Sequence, residues 1–168
     1  MVRRVAVLTS GGDAPGMNAT IRAIIRAGIA NNLQMYVIFE GYKGLVEDNI
    51  IPVDRTFVSE ILMRGGTIIR SARLKEFKDE AVQDIAVANL KSHGIDALVV
   101  IGGDGTYRGA IALAKKGINV IGVPATIDND VVGTDYTIGF DTALNTITDA
   151  VDKLRDTSSS HQRCTIIE

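Results

Sequence analysis

Three short apolar runs rich in β-branched residues each end in a loop of small and acidic residues: Val5 to Leu8 before SGGDAPGMN, Ala97 to Ile101 before GGDGT, and Val120 to Val123 before PATIDND. Such unbroken apolar runs read as strands buried on both faces, the pattern of a parallel sheet. Segments of helical period lie between them, predicted at Met17 to Ala30, Val58 to Met63, Glu80 to His93, Tyr107 to Lys116 and Thr142 to Arg155. Two further strands are expected at Met35 to Phe39 and Thr165 to Ile167. Gly94 and Gly117 stand where helix C-caps belong. Strand and helix in alternation predict an α/β fold of three layers, a mostly parallel sheet with helices on both faces. Ligands of such folds bind outside the carboxyl ends of the strands, where these loops fall.

Composition narrows the range of functions. With 168 residues, 46% of them hydrophobic, the chain suits one domain with a sizeable core. Its 18 basic and 20 acidic side chains leave a net charge of -2, so no global field draws it to nucleic acid or to an anionic membrane, and any anion site must be local. No apolar run approaches the ~20 residues that span a bilayer, and the start MVRRVAVLTSGGD lacks the long apolar stretch of a secretory signal. Cys164 is the only cysteine, which excludes an internal disulfide and fits a reducing cytoplasm; packing is its expected role.

Each loop admits a chemical and a plain reading. In Ser10 to Asn18, the glycines let backbone N–H groups and a helix start face a phosphate, but a tight strand-to-helix turn also wants glycine. The run Gly102 to Thr106 lacks the Lys-Ser/Thr ending of a P-loop and misses the dinucleotide spacing by one residue. Its glycines could still lay a polyphosphate on backbone amides while Asp104 holds Mg²⁺; otherwise Asp104 is a turn or N-cap aspartate. Asp128, Asp130 and Asp135 crowd around Asn129 after the third run. Carboxylates so close repel unless a cation, a hydrogen bond or a reacting hydroxyl lies between them. One of them could serve as the base of a kinase; the alternative is a solvated acidic turn.

The basic residues say less. Arg22 and Arg26, four apart on one helix face, repel unless an anion bridges them, and by sequence alone they read as a solvated basic face. Arg55 and Arg155 could join them only through the fold. Arg70 and Arg73 are equally placed after Gly65 and Gly66, and Arg163 follows a serine-rich turn. His161 reads as a surface imidazole and His93 as a helix-end residue at the negative pole of the dipole.

The motifs SGGDAPGMN, GYKGL, RGGT, SAR, IGGDGT, TIDND, GTDYTIGFDTA and RDTSSSHQR, in this order, resemble the amino-terminal half of the bacterial ATP-dependent 6-phosphofructokinase family across essentially the whole chain. The resemblance implies transfer of the γ-phosphoryl of Mg-ATP to the 1-hydroxyl of fructose 6-phosphate, a glycolytic step of the cytoplasm. On that pattern Gly11 and the backbone of Gly103, Asp104, Gly105 and Thr106 cradle ATP, with Leu74 near the adenine. Asp104 binds Mg²⁺. Asp128 is the base, with Asp130, Thr126 and Ile127 around the base, the transferred group and the sugar. Arg73 steadies charge on the moving phosphoryl. Arg22, Arg26, Arg55 and Arg155 match an effector site for ADP or phosphoenolpyruvate, reversing the solvated-face reading. Arg163 matches a residue that reaches into a neighbour's active site, which implies a homo-oligomer, usually a tetramer.

Pyrophosphate-using relatives typically carry aspartate at the position of Gly105 and lysine at that of Ala125, so the small residues here imply room for ATP. The family is about twice this length. Residues 1–168 are therefore expected to be its ATP-binding domain, with the sugar-phosphate domain absent and turnover by the chain alone slow or nil. Two alternatives stand beside this. Lipid and NAD kinases also use a Gly-Gly-Asp-Gly loop, although TIDND and the arginines argue against them. A truncated, non-catalytic nucleotide or phosphoanion binder would keep the loops without the sugar site.

Overall fold

The computed structural model describes residues 2–167. Its strands are β1 (Arg4–Thr9), β2 (Gln34–Ile38), β3 (Ile50–Val53), β4 (Ala97–Gly102), β5 (Asn119–Thr126) and β6 (Ile138–Gly139). The helices are α1 (Met17–Ala30), α2 (Gly41–Val46), α3 (Glu80–Ser92), α4 (Asp104–Lys115) and α5 (Phe140–Ser160), with a 3-10 turn at Lys75–Lys78. The strands form one sheet in the order β3-β2-β1-β4-β5-β6, parallel except for β3, which runs antiparallel beside β2. The expected three-layer α/β fold is the one observed.

Strand periodicity divides the core in two. Val5, Val7, Met35, Val37, Val99 and Ile101 point to one face, where Met17, Ile21 and Ile25 of α1 meet them. Ala6, Leu8, Ile38, Leu98 and Val100 point to the other, against Leu45 of α2, Leu90 of α3 and Leu113 of α4. Burying each of these Val, Leu, Ile and Met side chains contributes about 1.5–3 kcal/mol of transfer free energy, which explains the β-branched runs. Gly94 and Gly117 have φ of 63° and 87° and close α3 and α4 as expected. In both cases the next residue donates back five positions, Ile95 N–H to Leu90 O at 2.9 Å and Ile118 N–H to Leu113 O at 3.2 Å.

Two expected elements are absent. Val58 to Met63 is no helix but a pair of separate turns, closed by Ser59 N–H to Thr56 O and Arg64 N–H to Ile61 O, with Glu60 between them at φ 54°. The apolar spacing there reflects Val58 and Ile61 each plugging the face of α1 from its own turn. Thr165 to Ile167 form no strand. The 21 residues of α5 bury no side chain, so the helix leads its carboxyl end away from the sheet, and a strand without a partner does not form. Elements the sequence did not announce are α2, β3 and β6, each six residues or fewer. Pro52 within β3 disguised it, and is tolerated because an edge strand need not donate on its outer side. No described helix is long and apolar enough to cross a membrane.

Asp96, just before β4, accepts from the N–H groups of Arg3 at 2.7 Å and Arg4 at 2.9 Å. These two bonds hold its carboxyl below the ordinary carboxylate range. Its contribution is therefore present above the unfolded value of about 4 and is lost as pH falls through the lower folded value. Asp96→Asn should lower the melting temperature at neutral pH and flatten its decline on acidification, which thermal melts between pH 2 and 7 would measure.

Candidate active site at the strand ends

β1 and β4 are neighbours, yet the helices that follow them pack on opposite faces, α1 on one and α4 on the other. The two loops must diverge there, and the crevice between them is the expected ligand position of a doubly wound sheet. A cleft of about 690 Å³ opens at that point, lined from the first loop by Ser10 to Asp13 and from the second by Gly103 to Thr106. The end of β5 contributes Ala125 to Asp128 and Asp130, and the segment before α3 contributes Arg73, Leu74, Phe77 and Lys78. Every nucleotide, metal and catalytic residue expected from sequence lies on this one cleft: Gly11, Arg73, Leu74, Gly103, Asp104, Gly105, Thr106, Thr126, Ile127, Asp128 and Asp130.

The second loop is shorter than its sequence suggested, because α4 starts at Asp104 rather than at Tyr107. Asp104, Gly105 and Thr106 are thus the first turn of a helix. The amides of Asp104 and Gly105 have no acceptor within any such turn and are free for a ligand oxygen, whereas those of Thr106 and Tyr107 already donate to Gly103 O at 3.0 and 3.2 Å. The carboxylate of Asp104 sits at the positive helix pole, exposed, 2.8 Å from the guanidinium of Arg108 one turn on.

Thr106 ties the two loops together. Its hydroxyl donates to Ser10 O at 3.0 Å inside the protein, and its own carbonyl accepts the phenol of Tyr42 at 2.6 Å. Tyr42 lies in GYKGL, is 5% exposed, and stacks on Phe77 with ring centroids 4.3 Å apart. Burial pushes its pKa far above the usual phenol value, so it remains a donor. Gly102 permits the approach: a Cβ there would stand 2.3 Å from Thr106 Oγ1 and 2.4 Å from Ser10 O.

The acidic loop after β5 is exposed at Asp128, Asp130 and Asp135 and braced by side-chain hydrogen bonds. Asn129, at φ 52°, accepts from Thr137 N–H at 2.9 Å and donates to Asp135 O at 3.2 Å, while the buried Thr137 hydroxyl donates to Thr126 O at 2.8 Å. Thr126 Oγ1 accepts from the N–H of Asp128 at 3.2 Å. Asn129 therefore faces inward to hold the loop, and Asp128 and Asp130 are left with their carboxylates on the cleft.

The other arginines singled out in the sequence lie outside the cleft. Arg22 donates to the carbonyl of Val58, fastening α1 to the turn below it. Arg26 and Arg55 are exposed. Arg155 stands 3.9 Å from both Asp152 and Asp156, and Arg163 follows the end of α5. Tyr42, Phe77, Lys78 and Arg108 line the cleft without having been singled out in the sequence. For Tyr42 the signal was its place directly after the glycine that follows β2; Lys78 and Arg108 look like any helix-surface cation.

The site is thus the strand-end cleft of a doubly wound α/β protein, with the start of α4 on one side and the carboxylates of Asp128 and Asp130 among its lining. The chain belongs to the phosphofructokinase family, whose profile matches residues 4–168. An ATP-dependent 6-phosphofructokinase of Photobacterium profundum is 59% identical over all of this chain, which covers 52% of that protein. A Pichia pastoris phosphofructokinase structure superposes with a TM-score of 0.88 at 41% identity, over 92% of this chain and 18% of that one. A pyrophosphate-dependent phosphofructokinase from Nitrosospira multiformis shares the fold, with a TM-score of 0.83 at 20% identity over 94% of this chain and 42% of its own. The chain spans about half the length of the curated relatives it matches.

Gly102→Ala should lower stability by about 1–3 kcal/mol, the usual cost of overpacking, because both atoms it would strike belong to the junction of the two loops. Denaturant unfolding measures that cost, and calorimetric titration with Mg-ATP should show binding lost in the same variant.

Proposed function

We propose that this chain carries the nucleotide site and the catalytic carboxylates of an ATP-dependent 6-phosphofructokinase, acting in the cytoplasm on fructose 6-phosphate. The observation that carries this is the meeting, on one cleft, of the α4 start with Asp104, the braced Asp128 beside Thr126, and Arg73. The polyphosphate lies on the amides of Gly11 and of Gly103 to Gly105. Mg²⁺ fits Asp104, whose exposed carboxylate lies on the cleft at the start of α4, because Mg²⁺ on a nucleotide needs only one or two carboxylates besides phosphate oxygens. Bound there, the ion screens the phosphate charge.

Asp128 takes the proton of the sugar 1-hydroxyl as that oxygen attacks the γ-phosphorus and the bond to the β-phosphate oxygen breaks, leaving ADP. Thr126 fixes the backbone of Asp128, and Asp130 and Ile127 shape the wall around it. Arg73 offsets the charge on the phosphoryl in flight. Residues 1–168 are the ATP-binding part, and the sugar-phosphate part belongs to the remaining length of the relatives. The apolar stripe of α5 (Leu144, Ile147, Val151 and Leu154, each 40–49% exposed) is the surface on which that part would be seated. Arg163 then serves a neighbouring subunit in a homotetramer, and Arg22, Arg26, Arg55 and Arg155 receive ADP or phosphoenolpyruvate.

The half length favours a second reading, nucleotide binding without turnover. A coupled assay with Mg-ATP and fructose 6-phosphate, beside an Asp128→Ala control and a calorimetric titration, separates the two. Turnover abolished in Asp128→Ala supports the enzyme, binding without turnover supports the second reading, and neither signal sinks both.

Gly105 bears on the phosphoryl donor. A Cβ at this position meets no protein atom within 4 Å, and its φ is not positive, so nothing in the fold demands glycine. The open space is then the nucleotide's. Gly105→Asp should leave the melting temperature within about 2 °C, as surface substitutions do, and weaken Mg-ATP binding at least about 10-fold through lost volume and added negative charge.

A further inference from the structure

Arg73 stands on the cleft at the end of a stretch, residues 64–74, that is neither helix nor strand. Something other than a backbone ladder must hold that stretch in place. The strongest tie is Asn18 in α1, which is 1% exposed and does not line the cleft. Its carboxamide Nδ2 donates to Arg64 O at 2.9 Å and Gly65 O at 3.3 Å, and its Oδ1 accepts from Ile68 N–H at 2.8 Å.

A second tie comes from β1. The Thr9 hydroxyl donates to Arg70 O at 2.8 Å and also meets Thr67 Oγ1 at 2.9 Å. With its single proton committed to Arg70, Thr9 accepts from Thr67. Ile69 between them is fully buried against the face of α1, and its carbonyl takes Glu40 N–H at 2.9 Å. The held stretch also adjoins the phosphate loop, for a Cβ on Gly66 would stand 3.2 Å from Asp13 Oδ2.

Only asparagine supplies two donors and an acceptor in this short reach. Aspartate would turn a negative charge on two carbonyls, and an aliphatic side chain would leave three part-buried backbone groups without this partner. We infer that Asn18 is a positioning residue, whose buried carboxamide sets where Arg73 stands in the cleft and keeps it in register with the phosphate loop. This rests on the reading of Arg73 as a contact of the phosphoryl donor.

The test is a double-mutant cycle on Mg-ATP affinity by calorimetry, using the 168-residue chain, Asn18→Ala, Arg73→Ala and the double variant. Arg73→Ala should weaken binding about 10-fold, the scale of one charge-assisted hydrogen bond. Asn18→Ala should weaken it by a similar factor, and the double variant by no more than the larger single loss. Losses that multiply, or an Asn18→Ala variant that binds as before, overturn the inference while leaving Arg73 its role. An unchanged affinity in Arg73→Ala overturns that role and the inference together.

Limited trypsin digestion supplies a readout independent of nucleotide. Asn18→Ala should speed cleavage after Arg64, Arg70 and Arg73 several-fold and leave the site after Lys91 in α3 unchanged. Equal acceleration at both places would show general destabilisation, and unchanged cleavage would show no clamp; either overturns the inference. Should Asn18→Ala fail to fold, Thr67→Val removes one hydroxyl of the second tie and carries the same expectations on both readouts.

Discussion

The molecule hinges on one adjacency. β1 and β4 run side by side, and because α1 and α4 pack on opposite faces, the chain cannot close over the strand ends between them. Beyond the sheet's own bond from Ser10 N–H to Ile101 O, the hydroxyl of Thr106 bridges that gap to Ser10 O, in a space that Gly102 leaves open. Loop conformation, helix start and cleft all follow from it. Tyr42 backs the bridge from the third side, so three stretches distant in sequence converge on one carbonyl and one hydroxyl of a single threonine.

Much of this was legible in the residues. Buried parallel strands demand unbroken apolar runs, and both helix ends closed by Gly94 and Gly117 announce themselves because only a left-handed residue completes that geometry. Aspartates and glycines after strands pointed to the cleft, since ligands of such folds bind at the strand ends. Less legible was anything decided by tertiary partners. Val58 and Ile61 share a helical spacing, yet the two turns bury them separately, and no local signal distinguishes the cases. Thr165 to Ile167 has strand composition but no strand to join.

The same limit applies within the site. Asn129 read as one more polar residue of an acidic turn, whereas its side chain closes the loop through Thr137, eight positions on. Asn18 read as a residue at a helix start, whereas its partners lie 46–50 residues away. Reciprocal hydrogen bonds over such separations leave no periodic trace. They also divide labour: the residues that face the ligand are chosen by chemistry, and those that hold them are chosen by which backbone groups happen to pass nearby.

The sheet's two margins are unlike. On one side the antiparallel β3, short and interrupted by Pro52, presents a poor template for further pairing. On the other, β5 is eight residues long but has an outer neighbour only at Ala125 and Thr126, and Ile121 on its flank is 63% exposed. Growth of the sheet, whether by more of the same polypeptide or by another molecule, is thus directional: one margin is terminated and the other is an open seam, running from the cleft carboxylates to solvent.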